Sequence, residues 1–165
     1  MKWIESGGGP FILVPTDHLP RWRGVDGPGD DESDYDRACE VVDDVGVVEV
    51  GNADALVFGD EPFRTSWVSN EGEGGFVVRW VYADSENSVT KYISQGKLES
   101  VVKDAGVSVQ LDGPCVLFDA AEPGDDIRGE SIAVGLTPGR YVVKSALVDV
   151  SSEVRLLIHE LAPTP

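Results

Sequence analysis

Apolar residues in this chain recur mostly at every second position or in short unbroken runs, the spacing of strands rather than of amphipathic helices. Phe11-Ile-Leu-Val14, bracketed by Pro10 and Pro15, is apolar on both faces and predicts a strand in the middle of a sheet. Val45–Val50 and Ala53–Phe58 flank Gly51-Asn52, the pattern of a hairpin closed by a two-residue turn. Residues 63–68 and 76–82 predict two more strands, the second rich in β-branched and aromatic side chains that suit a pleated surface. After residue 106 the same grammar returns, with strands expected over 107–111, 114–118, 131–136, 141–150 and 154–161, and a short one over 2–5 at the start.

Two stretches break the alternation. Residues 30–40 begin acidic, offer Ser33 or Asp34 as N-cap, and place Ala38 and Val41 on one face, which predicts a short helix. Residues 85–105 carry Val89, Tyr92 and Ile93 on one helical face, then Leu98, Val101, Val102 and Ala105 on another. Gly96 marks where the two faces fall out of phase, and Gly106 is a natural stop. The expected fold is therefore mainly β (α+β), built from antiparallel sheets, in one domain over 1–165.

The order of events in residues 1–84 recurs in 106–165. Gly9-Pro10 opens an apolar strand as Gly113-Pro114 does, and each is followed by an acidic loop, a hairpin and a last strand. This suggests two similar β halves joined by the helical segment 85–105. The competing reading is the shared grammar of β proteins, since residue identity between the halves is low.

A chain of 165 residues buries roughly two thirds of its unfolded surface, enough for a core without staples. Charge changes the picture more than length does. Thirteen Lys and Arg against 30 Asp and Glu leave −17, a sign that works against phosphate backbones and anionic membranes and attracts basic proteins. The bland alternative is that acidity only keeps the chain soluble. Cys39 and Cys115 are too few for a disulfide framework or a zinc site. The first residues have no apolar segment behind Lys2 to make a signal peptide, and no apolar run approaches the ~18 residues of a membrane span. The expectation is a cytoplasmic protein with reduced thiols.

Catalytic and metal chemistry finds little support. An EF-hand loop begun at Asp30 would need Gly where Tyr35 stands and Glu where Val41 stands; begun at Glu32, it meets Arg37 at the glycine position. Gly129-Glu-Ser131-Ile-Ala133 lacks the final glycine of a nucleophile elbow and leads into a strand. His18 and His159 are the only two histidines; loop polarity is expected for the first and a strand-edge position for the second. No catalytic residue, cofactor or metal is expected. Trp67 and Trp80 lie in apolar strands and are expected in the core. Trp22, between two arginines in a Pro- and Gly-bounded loop beside the acidic run, fits either packing or an exposed anchor for a partner.

Trp3-Ile-Glu-Ser-Gly-Gly8, Gly9-Pro10 with its strand, Trp22-Arg-Gly24, Asp34-Tyr-Asp-Arg-Ala-Cys39, Ala55-Leu-Val-Phe-Gly-Asp-Glu-Pro62, Arg79-Trp-Val-Tyr-Ala-Asp84 and Gly113-Pro-Cys-Val-Leu-Phe-Asp119 together resemble the immunity protein 21 family of bacterial polymorphic toxin systems. The resemblance implies a small, largely β, cytoplasmic protein that binds a toxin encoded nearby and protects the producing cell, and it carries over no catalytic residues. Residue chemistry and resemblance meet in one mechanism. Asp30, Asp31, Glu32, Asp34 and Asp36 would steer and pair with a basic toxin, with an aromatic such as Trp22 excluding water at the centre. A nuclease cleft could be occluded directly or the toxin bound beside it. The alternative is a stand-alone structural or regulatory β module with no toxin partner.

Overall fold

The alternating pattern is realised as two antiparallel sheets in the computed structural model, which describes residues 1–27, 32–59, 61–70, 74–99, 101 and 106–165. Among the described residues the strands are β1 (Trp3–Ile4), β2 (Phe11–Pro15), β3 (Val45–Val50), β4 (Ala53–Phe58), β5 (Arg64–Ser69), β6 (Gly75–Ala83), β7 (Val107–Leu111), β8 (Cys115–Asp119), β9 (Ser131–Val134), β10 (Gly139–Ser151) and β11 (Val154–Pro163). Two α-helices join them, α1 (Asp34–Cys39) and α2 (Glu86–Ser94), with a 3-10 segment over Thr16–Arg21.

The six-stranded sheet runs β1-β5-β6-β11-β10-β7 and the five-stranded sheet β3-β4-β2-β8-β9. Both draw strands from either side of residues 85–105, which meet at the β6–β11 and β2–β8 pairs. In the six-stranded sheet β1, β5 and β6 run from edge to centre on one side, as β7, β10 and β11 do on the other.

Strand alternation sorts side chains into three layers of core. Phe11 and Leu13 of β2 point between the sheets with Leu56, Phe58, Val77, Leu117, Tyr141 and Leu161. Ile12 and Val14 point to the opposite face, where Ala38, Val50, Val57, Trp22 and Phe118 cover them. β2 is thus buried on both faces and flanked by β4 and β8, as its unbroken apolar run requires. The outer face of the six-stranded sheet is closed by Val89 and Ile93 of α2, packed with Phe76, Val78, Leu156 and Ile158.

Ser85 caps α2 by accepting the Ser88 N–H, and the helix stops before Gly96, whose φ of +67° is left-handed. Of the second expected helical face, residues 100 and 102–105 lie outside the described residues; Leu98 and Val101 extend the cluster beneath α2. The hairpin forms with the expected register, Val50 opposite Ala53, and a positive φ at Gly51 alone gives a two-residue turn with glycine first. Trp3 is buried, whereas Trp67 and Trp80 are partly buried rims of two clusters.

Candidate functional site

Trp22 follows the 3-10 segment and closes it with its N–H on the Leu19 carbonyl. Its ring is fully buried and its Nε1 donates to the Ala120 carbonyl at 2.9 Å. The neighbouring backbone is pinned to the same loop after β8, by Val25 N–H on Ala121 O (3.0 Å) and Gly124 N–H on Trp22 O (2.9 Å). Gly24 has a φ of +57°, and a Cβ there would collide with the Ala121 carbonyl. The Trp-x-Gly segment is therefore a clasp between chain segments 98 residues apart. Of the two readings open for Trp22, the structure takes packing: the ring is buried in the core, which corrects its place among the candidate partner contacts.

The acidic run is divided between structure and surface. Ser33 is the N-cap of α1, accepting the Asp36 N–H, while the Asp36 carboxylate accepts the Ser33 N–H at 2.9 Å and its hydroxyl at 2.7 Å, a complete capping box. These bonds hold the Asp36 carboxyl below the usual carboxylate range. Asp34 is 18% exposed; it pairs with Arg37 at 2.8 Å and accepts the Arg23 N–H at 2.8 Å, tying α1 to the Trp22 loop. Asp36, though exposed, and Asp34 are thus committed to local geometry. Asp30 and Asp31 lie outside the described residues.

Glu32 is the carboxylate left open. It is exposed and lies beside Glu40, whose charge, followed by their side-chain hydrogen bond, raises the Glu32 pKa. Asp36 adds to this and Arg37 opposes it. Together with Arg37, Val41, Val47, Val48 and Glu49 the pair lines a shallow recess of about 450 Å³ between α1 and β3. Arg37 bridges its floor, donating to Asp34 and, at 2.6 Å, to the Glu49 carbonyl.

Reading the sequence missed Glu40 and Glu49. Each stands alone among apolar or turn residues, and only the packing of α1 through Ala38 on the outer face of the five-stranded sheet brings them together. The signal that could have found Glu49 was its place in the alternation of β3, whose burial runs buried, intermediate, exposed, intermediate, exposed, buried.

Other groups singled out in the sequence are placed for different work. His159 is in β11, between β6 and β10, which corrects the strand-edge expectation: a strand with a partner on each side has no edge. It is fully buried, bonded through Nδ1 to Ser145 Oγ at 2.7 Å and set 5.0 Å from the Phe58 ring. Burial, then the Arg79 charge, lowers its pKa to about 3. Burial pushes the Cys115 thiol up to about 12. His18 faces Asp112 at 3.6 Å. Among the described residues no group of three or more His, Cys, Asp or Glu is arranged to hold a metal, and no helix is long and apolar enough to cross a membrane.

Among known families, the model described as Immunity protein 21 matches residues 2–154. No curated protein and no solved structure matches the chain.

Proposed function

The chain belongs to the immunity protein 21 family, and from that premise we propose that it is a non-catalytic immunity protein that binds and neutralises a cognate basic toxin through an acidic surface. The observation that carries the acidic-face mechanism is the Glu32–Glu40 pair, two like charges side by side on one open recess next to β3. A cation placed there relieves their repulsion, so a Lys or Arg of the partner gains more from this spot than from an isolated surface glutamate. The net charge of −17 supplies long-range attraction on top of the local contact.

A cytoplasmic partner is consistent with this role, and a nuclease is the toxin class whose cleft is most naturally blocked by carboxylates standing in for phosphates. His159 is sealed in the core and held neutral, and the Cys115 thiol is buried with its proton retained, so neither of these two groups is presented for chemistry.

The test is co-purification with the product of the toxin-like open reading frame beside this gene. A stable complex whose association slows as salt rises, and slows again with Glu32→Lys and Glu40→Lys, supports the proposal. A complex indifferent to salt and to both substitutions removes the acidic face from the mechanism. Asp34 and Asp36 are unsuitable for this purpose, because reversing either would undo the capping and tethering of α1.

A further inference from the structure

A sheet ends in strands with one partner, and their outward N–H and C=O groups invite another chain unless something covers them. Among the described residues three of the four sheet ends are shorter than the fourth, and two of those three also have an outward group bonded. β1 has two residues, β7 gives its Gln110 N–H to the Asp54 carboxylate at 3.1 Å, and β9 gives its Ser131 carbonyl to Lys2 Nζ at 2.6 Å. β3, with six residues, is the longest of the four; among the described strands it pairs with β4 alone, and of its outward groups the Glu49 carbonyl is taken by Arg37.

The hairpin register fixes which groups of β3 point outward. With Val50 opposite Ala53 across a two-residue turn, Val50, Val48 and Gly46 bond to β4, and Val45, Val47 and Glu49 direct theirs to the open side. The Arg37 guanidinium confirms this direction, since it reaches the Glu49 carbonyl from that side. Val47 is 37% exposed at the middle of the edge.

The surroundings select the occupant. Glu32 and Glu40 flank the edge on the α1 side, and Glu49 alternates with them on the face it shares with Val45 and Val47. The nearby cation Arg37 is already paired with Asp34. A second copy of this chain would bring carboxylates against carboxylates at −17 each, which keeps the edge from pairing with itself. A chain of opposite sign meets no such barrier.

We propose that β3 is the docking edge for the toxin, which adds an extended segment of alternating cationic and apolar residues as a sixth strand of the five-stranded sheet. Its backbone bonds to the outward groups of Val47, its Lys or Arg side chains meet Glu32 and Glu40, and an apolar side chain lies beside Val47. This rests on the toxin-binding reading above and adds the place and the backbone mode of recognition.

The probe is the purified product of the adjacent toxin-like gene, titrated against the full chain and against Val47→Pro. Proline at 47 removes only an outward N–H and leaves the β3–β4 ladder intact, so the melting temperature should stay within a few degrees while affinity falls about a hundredfold. The second variant, Glu40→Lys with Glu49→Lys, leaves the backbone untouched and should cut the association rate about tenfold at low salt. Hydrogen exchange on the unaltered chain should show the amides of Val47 and Glu49 gaining protection in the complex. Tight binding of Val47→Pro with those amides still exchanging overturns the docking edge alone. Failure of the unaltered chain to bind overturns this inference and the functional reading together.

Discussion

A buried tryptophan and a buried histidine show how single residues are used here. Trp22 joins its 3-10 segment to the loop after β8 through one hydrogen bond and a full ring of apolar surface. Trp22→Ala should cost about 3–5 kcal/mol, as large-to-small changes in cores do, and Trp22→Phe somewhat less, since it loses the bond to Ala120 but fills most of the space. Chemical denaturation measures both; a core role also requires that Trp22→Phe leave toxin affinity unchanged. His159 makes stability depend on pH. Its folded pKa, about 3, lies below its ordinary 6.5, so below pH 6.5 the unfolded chain takes up a proton that the folded chain refuses. Stability is therefore whole above pH 6.5 and falls as pH drops toward 3, by about 2 kcal/mol between pH 6.5 and 5. Unfolding curves of His159→Phe, which cannot titrate, should be flatter over that interval whatever their absolute stability.

The elements are short, and their ends decide whether they form. A helix of six residues cannot stand on propensity, so α1 depends on the Ser33–Asp36 capping box, the Asp34 tether to Arg23 and the burial of Ala38. Ser33→Ala should remove about 1 kcal/mol from the whole fold. The effect should appear first as faster hydrogen exchange in Tyr35 to Cys39 and in the Trp22 loop, because Tyr35 N–H bonds to the Gly24 carbonyl. α2 has a longer run and a plain serine cap, and it stops where Gly96 turns left-handed. The β3–β4 hairpin is the element most fully written in local sequence, since both turn chemistry and alternation agree on one register.

In the whole molecule the two sheets are stitched at their centres by strands from opposite ends of the chain, β6 with β11 and β2 with β8. Because those central pairs join strands from either side of residues 85–105, neither part of the chain completes either sheet by itself. A fragment of residues 1–84 should stay unfolded by circular dichroism and near-ultraviolet signals, and co-expression with 85–165 should restore both. Charge belongs to this scale as well. A net charge of −17 gives any basic partner a fast, salt-sensitive approach.

Taken alone, the sequence determined the strand-rich class, the hairpin register, the double burial of β2, a helix cap at Ser33 or Asp34 and the break at Gly96, because each is set by neighbours within a few positions of one another. Only the tertiary structure decided that Trp22 is core, that His159 sits in a central strand, and that Glu32 and Glu40 share a recess with Glu49. Those outcomes depend on which distant segments meet. A tryptophan in a polar loop looks exposed until the loop after β8 arrives to cover it, and two lone glutamates become a site only when a helix is laid against the edge of a sheet.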